Sequence, residues 1–138
     1  MIVDASVALK WALTEQDSEA AGQLIGRGDL AAPALLHIEL GHTLTKLARQ
    51  RLLSRTDALH AWLDLRQANM LIHDDDALLE PAVELSLALN ASLYDCVYLA
   101  LAEETDDLLV SADEHFIRAV RASSEFSGRI LTLAEAAT

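Results

Sequence analysis

The 138-residue chain, 52% hydrophobic and 23% charged, has the length of one domain spanning 1–138 and a balance that excludes a disordered polymer. No apolar run approaches the ~20 residues of a membrane span, and Ile2-Val3 opens like a strand rather than a basic-then-apolar leader, so a soluble, cytoplasmic protein is expected. A net charge of −12 argues against broad non-specific binding to nucleic acid, although Lys46, Arg49, Arg51 and Arg55 fall close together. That basic cluster suits either a helix end complementing its macrodipole or a contact to phosphate.

Ile2-Val3 reads as a strand that stops at Asp4 and passes at once into a helix at Ala5–Leu9. A second helix is predicted from Glu15 to Ile25, ended by the turn Gly26–Asp29, and brief apolar Leu30–Ala32 leads to Pro33 at the entrance of a third helix. Leu35, Leu36, Ile38, Leu40, Leu44 and Leu47 give that helix a broad apolar stripe to about Arg51. Thr56 or Ser54 can cap the next, which carries Leu59, Trp62, Leu63 and Arg66, before a strand at Met70–Ile72.

The acidic run Asp74–Asp76 is expected to cap the following helix, whose buried side is drawn from Leu78, Leu79, Val83, Leu85 and Leu89. Ser92 and Asp95 have capping-box spacing at the start of a helix to Glu104. Leu108–Val110 is a buried strand, Asp113 precedes a helix through Phe116 and Val120, and Arg129–Leu133 is the last strand. Cys96, the only cysteine, allows no internal disulfide and reads as a small core residue, while Trp11 and Trp62 read as packing residues.

Strands alternating with helices imply right-handed crossovers and a three-layer α/β/α domain, its central sheet mostly parallel. The functional crevice of such a sheet lies outside the carboxyl ends of its strands, where Asp4 and Asp113 fall. Either acid alone is accounted for by helix capping. Glu39 lies two turns into a helix with apolar neighbours, and Asp95 heads an otherwise apolar helix; exposure and the capping box are their ordinary explanations. Together the four could converge on one crevice, where mutual repulsion would require a hard cation such as Mg²⁺ or Mn²⁺.

Other chemistries find less support. His37, His42, His60, His73 and His115 show no zinc-site spacing, and the chain has no phosphate-binding glycine loop and no nucleophile elbow. A phosphoryl-aspartate phosphatase needs an acid two residues after Asp4, where Ser6 stands, and a receiver domain needs a lysine after its last strand, where Ala134-Glu135-Ala136 stands. A non-catalytic interaction domain that merely retains the acids stays open.

Four segments in order resemble the motifs of the PIN-domain family, in particular the VapC-type toxins of toxin–antitoxin pairs. They are Ile2-Val3-Asp4-Ala5-Ser6; Ala32-Pro33 with the helix bearing Glu39; Tyr94-Asp95-Cys96-Val97-Tyr98 continuing to Ala102; and Ser111-Ala112-Asp113 followed by Phe116. The resemblance covers nearly the whole chain. It implies a PIN-like fold and a metal-dependent endoribonuclease in which Asp4, Glu39, Asp95 and Asp113 hold one or two Mg²⁺ or Mn²⁺ ions. Ser111, with Ser6, would assist positioning. It implies RNA as substrate, a cognate antitoxin as partner, and a homodimer or toxin–antitoxin hetero-oligomer. Family members often carry an Asn shortly after the helix glutamate; here Gly41-His42-Thr43 stands, and His42 is a candidate for that role.

Overall fold

The computed structural model describes residues 1–13 and 18–138. Its strands are β1 (Ile2–Val3), β2 (Ala31–Pro33), β3 (Leu71–His73), β4 (Leu109–Ser111) and β5 (Ile130–Thr132). They form one sheet in the order β3-β2-β1-β4-β5, and every pairing is parallel. Parallel neighbours cannot be joined by a tight hairpin, so helices form the crossovers. Among the described residues these are α1 (Ala5–Ala12), α2 (Ser18–Ile25), α3 (Leu35–Arg49), α4 (Arg55–Arg66), α5 (Leu79–Leu89), α6 (Leu93–Glu104), α7 (Glu114–Arg121) and α8 (Leu133–Ala136).

The two-residue period of a strand explains why helices cover both faces. Ile2 and Leu109 point into one core with Leu36, Leu40 and Leu44 of α3 and Cys96 through Ala102 of α6. Val3 and Val110 point into the other with Val7, Ala21, Leu24 and Leu133 from α1, α2 and α8. The expected three layers result. Cys96 through Ala102 are all buried, so α6 is apolar all round because it is the central helix of the larger core. Among the described residues no single helix is long and apolar enough to cross a membrane.

Both tryptophans pack as expected and use their one polar atom to tie elements together. Trp11 Nε1 donates to the Ala21 carbonyl, joining α1 to α2, and Trp62 Nε1 donates to the His37 carbonyl, joining α4 to α3. Gly41 lets α4 approach closely, since a Cβ there would lie 3.3 Å from Trp62 Nε1.

Several boundaries and one cap differ from expectation. The predicted start of the second helix at Glu15 lies outside the described residues, and the helix is described from Ser18. Pro33 is the last residue of β2, in register with His73 of β3, rather than a helix entrance, and α3 begins two residues later at Leu35. α3 stops at Arg49 because Arg51 adopts a left-handed conformation at φ 60°. Ser54, not Thr56, caps α4 by accepting from Asp57 N. In the acidic run, Asp75 accepts instead from Leu35 N and so caps α3 across the sheet, while Asp74 closes a local turn onto Asp76. On α5 the buried residues are Ala82 and Leu85, continuing from Leu78 just before the helix, and Leu79 and Val83 are 44% and 45% exposed. A small alanine against α6 permits a close helix pair, which turns the bulkier residues outward.

Candidate active site

The chain leaves β1 to build β2 and β3 on one side, then returns to place β4 on β1's other side. The carboxyl ends of β1 and β4 therefore flank the reversal of strand order, where a crevice opens in parallel sheets. Asp4 is the first residue beyond β1, Ser111 the last of β4, and Asp113 lies two residues further on.

Asp4 and Asp113 do cap helices. Asp4 Oδ1 accepts from Val7 N at 3.2 Å, and Asp113 Oδ1 accepts from His115 N and Phe116 N at 3.0 and 3.2 Å. Asp4, however, is only 3% exposed. Burial raises its pKa above the ordinary carboxylate range, the Ser111 and Ser6 hydroxyls and Val7 N pull it back, and Asp113 adds repulsion. Ser6 fastens the two strand ends together, donating to Asp4 Oδ1 at 2.5 Å and accepting from Ala112 N at 2.9 Å. Ser111, fully buried, accepts from Asp113 N at 3.1 Å.

Capping does not explain the other two acids. Ser92 accepts from Asp95 N at 3.3 Å, which is half of a capping box, but among the described residues the Asp95 carboxylate returns no bond to Ser92 N. Burial, then Asp4, Asp113 and Glu39, push the Asp95 pKa up to about 7. Among the described residues, Glu39 Oε1 is buried without a hydrogen-bond partner, and so is the Tyr98 hydroxyl. Burial pushes the Glu39 carboxyl up, the nearby Tyr98 phenol opposes this without completing a hydrogen bond, and Asp4 adds to it. Burial and the Glu39 charge in turn hold the Tyr98 phenol protonated.

The fold thus brings Asp4, Glu39, Asp95 and Asp113 into one electrostatically coupled group at the crevice. Among the described residues no three His, Cys, Asp or Glu side chains are drawn together as a ready cage for a metal. The donor chemistry still fits a hard divalent cation: the donors are oxygen only, share one sign of charge, and include an orphaned buried carboxylate oxygen. Beside Glu39 opens a cavity of about 410 Å³ lined by Ala5, Leu35, Ile38, His42, Thr43 and Tyr94.

The family model for the PIN domain matches residues 1–122. The chain belongs to the PIN domain family. It is 34% identical over 113 residues to Ribonuclease VapC9 of Mycobacterium tuberculosis, covering 82% of this chain and 85% of that one. Its fold matches PAE2754 from Pyrobaculum aerophilum with a TM-score of 0.76 at 20% identity, over 99% of this chain and 85% of that one. A toxin–antitoxin complex from Klebsiella pneumoniae matches with a TM-score of 0.64 at 13% identity, over 96% of each chain.

Within this PIN domain, His42 lines the cavity beside Glu39, and among the described residues no hydrogen bond joins the two. Tyr98 is the residue that reading the sequence passed over. Its place one turn after Asp95 on α6 was legible, but its pairing with Glu39 depends on how α3 packs against α6.

Proposed function

We propose that this PIN domain is a Mg²⁺- or Mn²⁺-dependent endoribonuclease, the toxin of a toxin–antitoxin pair, acting in the cytoplasm. The observation that carries this reading is the coupled acid group at the β1/β4 crevice, with Asp95 raised to about 7 and Glu39 Oε1 left without a partner. Four carboxylates crowded this way hold a proton or a cation; a divalent ion satisfies them at neutral pH. Asp4, Glu39, Asp95 and Asp113 would hold it, and when bound it supplies Lewis acidity that acidifies water and offsets charge on the phosphate and leaving oxygen.

Ser111 and Ser6 fix the Asp4 carboxylate in one orientation through the hydroxyl contacts that join the two strand ends. A carboxylate of the group that is not fully engaged would accept the proton of the attacking water.

The relative named a ribonuclease and the toxin–antitoxin complex among the fold neighbours support RNA as substrate and an antitoxin as partner. A second copy of the chain is proposed to cover the exposed apolar stripe Leu79, Val83 and Leu87 on α5. Light scattering of wild type and Leu87→Glu tests the dimer: a monomeric wild type removes it.

Purified protein is expected to cleave structured RNA with Mg²⁺ or Mn²⁺ and to lose cleavage with EDTA or in Asp4→Asn, which stays folded by circular dichroism. Cleavage that survives both changes overturns the assignment. Growth arrest on induction, relieved by a small protein encoded alongside, separates the toxin from an interaction domain that keeps its acids without chemistry.

A further inference from the structure

The four cations at the junction of α3 and α4 are not used by the acid site. Lys46, Arg49, Arg51 and Arg55 are all exposed, and among the described residues none of them forms an ion pair. Elsewhere Arg27 bonds Asp29, Arg121 bonds Glu135, Arg129 bonds Glu103 and Asp106, and Arg66 lies over the Trp62 ring; Arg118, on α7, is the other arginine with neither an ion pair nor a ring contact among the described residues. In a chain with 22 acids and 10 Lys and Arg, an unmatched group of four is a departure from its surroundings.

Helix electrostatics accounts for half of the group. Lys46 and Arg49 sit in the last turn of α3, where cations complement the macrodipole. Arg55 does the opposite, being the first residue of α4, at the positive end of its dipole, where an acid is favoured. Arg51 holds φ 60°, a position where glycine or asparagine is the unstrained choice. At both positions charge stands where local structure prefers something else.

The group also has an address relative to the crevice. Lys46 follows Glu39 by seven residues on α3, two turns along one face and about 10 Å up the axis. On the adjoining side of α3, toward α4, a groove of about 340 Å³ lies between Arg49 and Arg55, floored by Gly41, Leu44, Ala48 and Leu59. An apolar floor with cations at the rim matches a ribose and base face below and phosphates beside it.

We propose that this corner is an RNA-backbone anchor, a phosphate-contacting surface that holds substrate strands leaving the cleavage site. It rests on the ribonuclease reading above. RNA fits better than an acidic peptide because Lys46 and Arg49 lie on the same exposed side of α3 as Glu39, so one strand can meet both ends of the helix.

The test measures the affinity of a fluorescein-labelled RNA hairpin by anisotropy across a salt series, in EDTA, for wild type, Arg51→Gln/Arg55→Gln and Arg51→Lys/Arg55→Lys. Circular dichroism checks the fold of each. The glutamine pair is expected to bind about 10-fold more weakly at low salt, with a log K against log salt slope shallower by about 1 to 2. In cleavage its KM rises while kcat is kept, and the lysine pair restores both affinity and slope. A wild type that cleaves, with a glutamine pair that keeps wild-type affinity, slope and KM, overturns the anchor alone. A glutamine pair that loses only an acidic protein partner also overturns it. A wild type that neither binds nor cleaves RNA overturns the ribonuclease reading and the anchor with it.

Discussion

The two ends of α3 carry opposite charge in opposite surroundings. At its start Glu39 joins Asp4, Asp95 and Asp113 in a half-enclosed crevice, where like charges and burial raise one another's proton affinity. At its finish Lys46, Arg49 and Arg51, with Arg55 beyond, stand in water. Like charges are costly at the first end because little solvent screens them, and nearly free at the second. The acid end is therefore under a tension that a proton or cation relieves. The basic end contributes little to the fold, as exposed charges do, and is free to be placed for binding.

The sharpest way to break this contrast is to neutralise the acid end. Asp95→Asn is expected to lower RNA cleavage by more than the ~10–100-fold typical of groups that only support a metal ligand, because it removes a donor outright. Single-turnover cleavage at saturating Mg²⁺ measures this, and an Asp95→Asn protein within a few-fold of wild type removes Asp95 from the site. Ser111→Ala should fall within that ~10–100-fold range, since the hydroxyl acts through Asp4. Its loss is expected as a higher Mg²⁺ concentration needed for half-maximal cleavage, with the product pattern unchanged.

Stability moves the other way. The Asp95 pKa of about 7 in the folded protein exceeds the ordinary 3.8, so the fold holds this proton more tightly than the unfolded chain does. Below about 4 both states are protonated and nothing is lost. Between about 4 and 7 the unfolded chain ionises first, so metal-free stability falls as pH rises, and above 7 the whole penalty is present. Asp4 and Glu39, also raised, act with the same sign. Melting curves in EDTA should show Asp95→Asn gaining on wild type up to about pH 7 and holding its lead above, and Mg²⁺ narrowing the gap at pH 8. Parallel curves at every pH would mean that folding does not raise the proton affinity of Asp95.

How far the sequence carries differs between the two ends in the same way. Strands and helices were legible because burial imposes period 2 on Ile2-Val3 and the 3.6 period on α3, and the strand ends located Asp4 and Asp113. The orphaned oxygen of Glu39 and its neighbour Tyr98 were not legible, because they depend on how α3 and α6 meet. The exposed face of α5 was misread for a related reason: Leu79 and Leu85 are equally apolar, and only the packing of Ala82 against α6 decides which is buried. Asp75 shows a third limit, capping α3 from 40 residues away rather than its own helix. Local patterns reveal which groups need a partner, and the fold chooses it.

The smallest expected effect is the most selective. Arg51 pays a backbone strain at φ 60° that glycine does not feel. Arg51→Gly should therefore stabilise the metal-free protein by about 1 kcal/mol or less, seen as a slightly higher melting temperature. If the corner anchors RNA, the same substitution weakens hairpin binding by a few-fold and flattens the salt slope by about 1. A variant that is more stable and binds RNA less well separates the two ends of α3 by function, because a purely structural arginine would give the first change without the second.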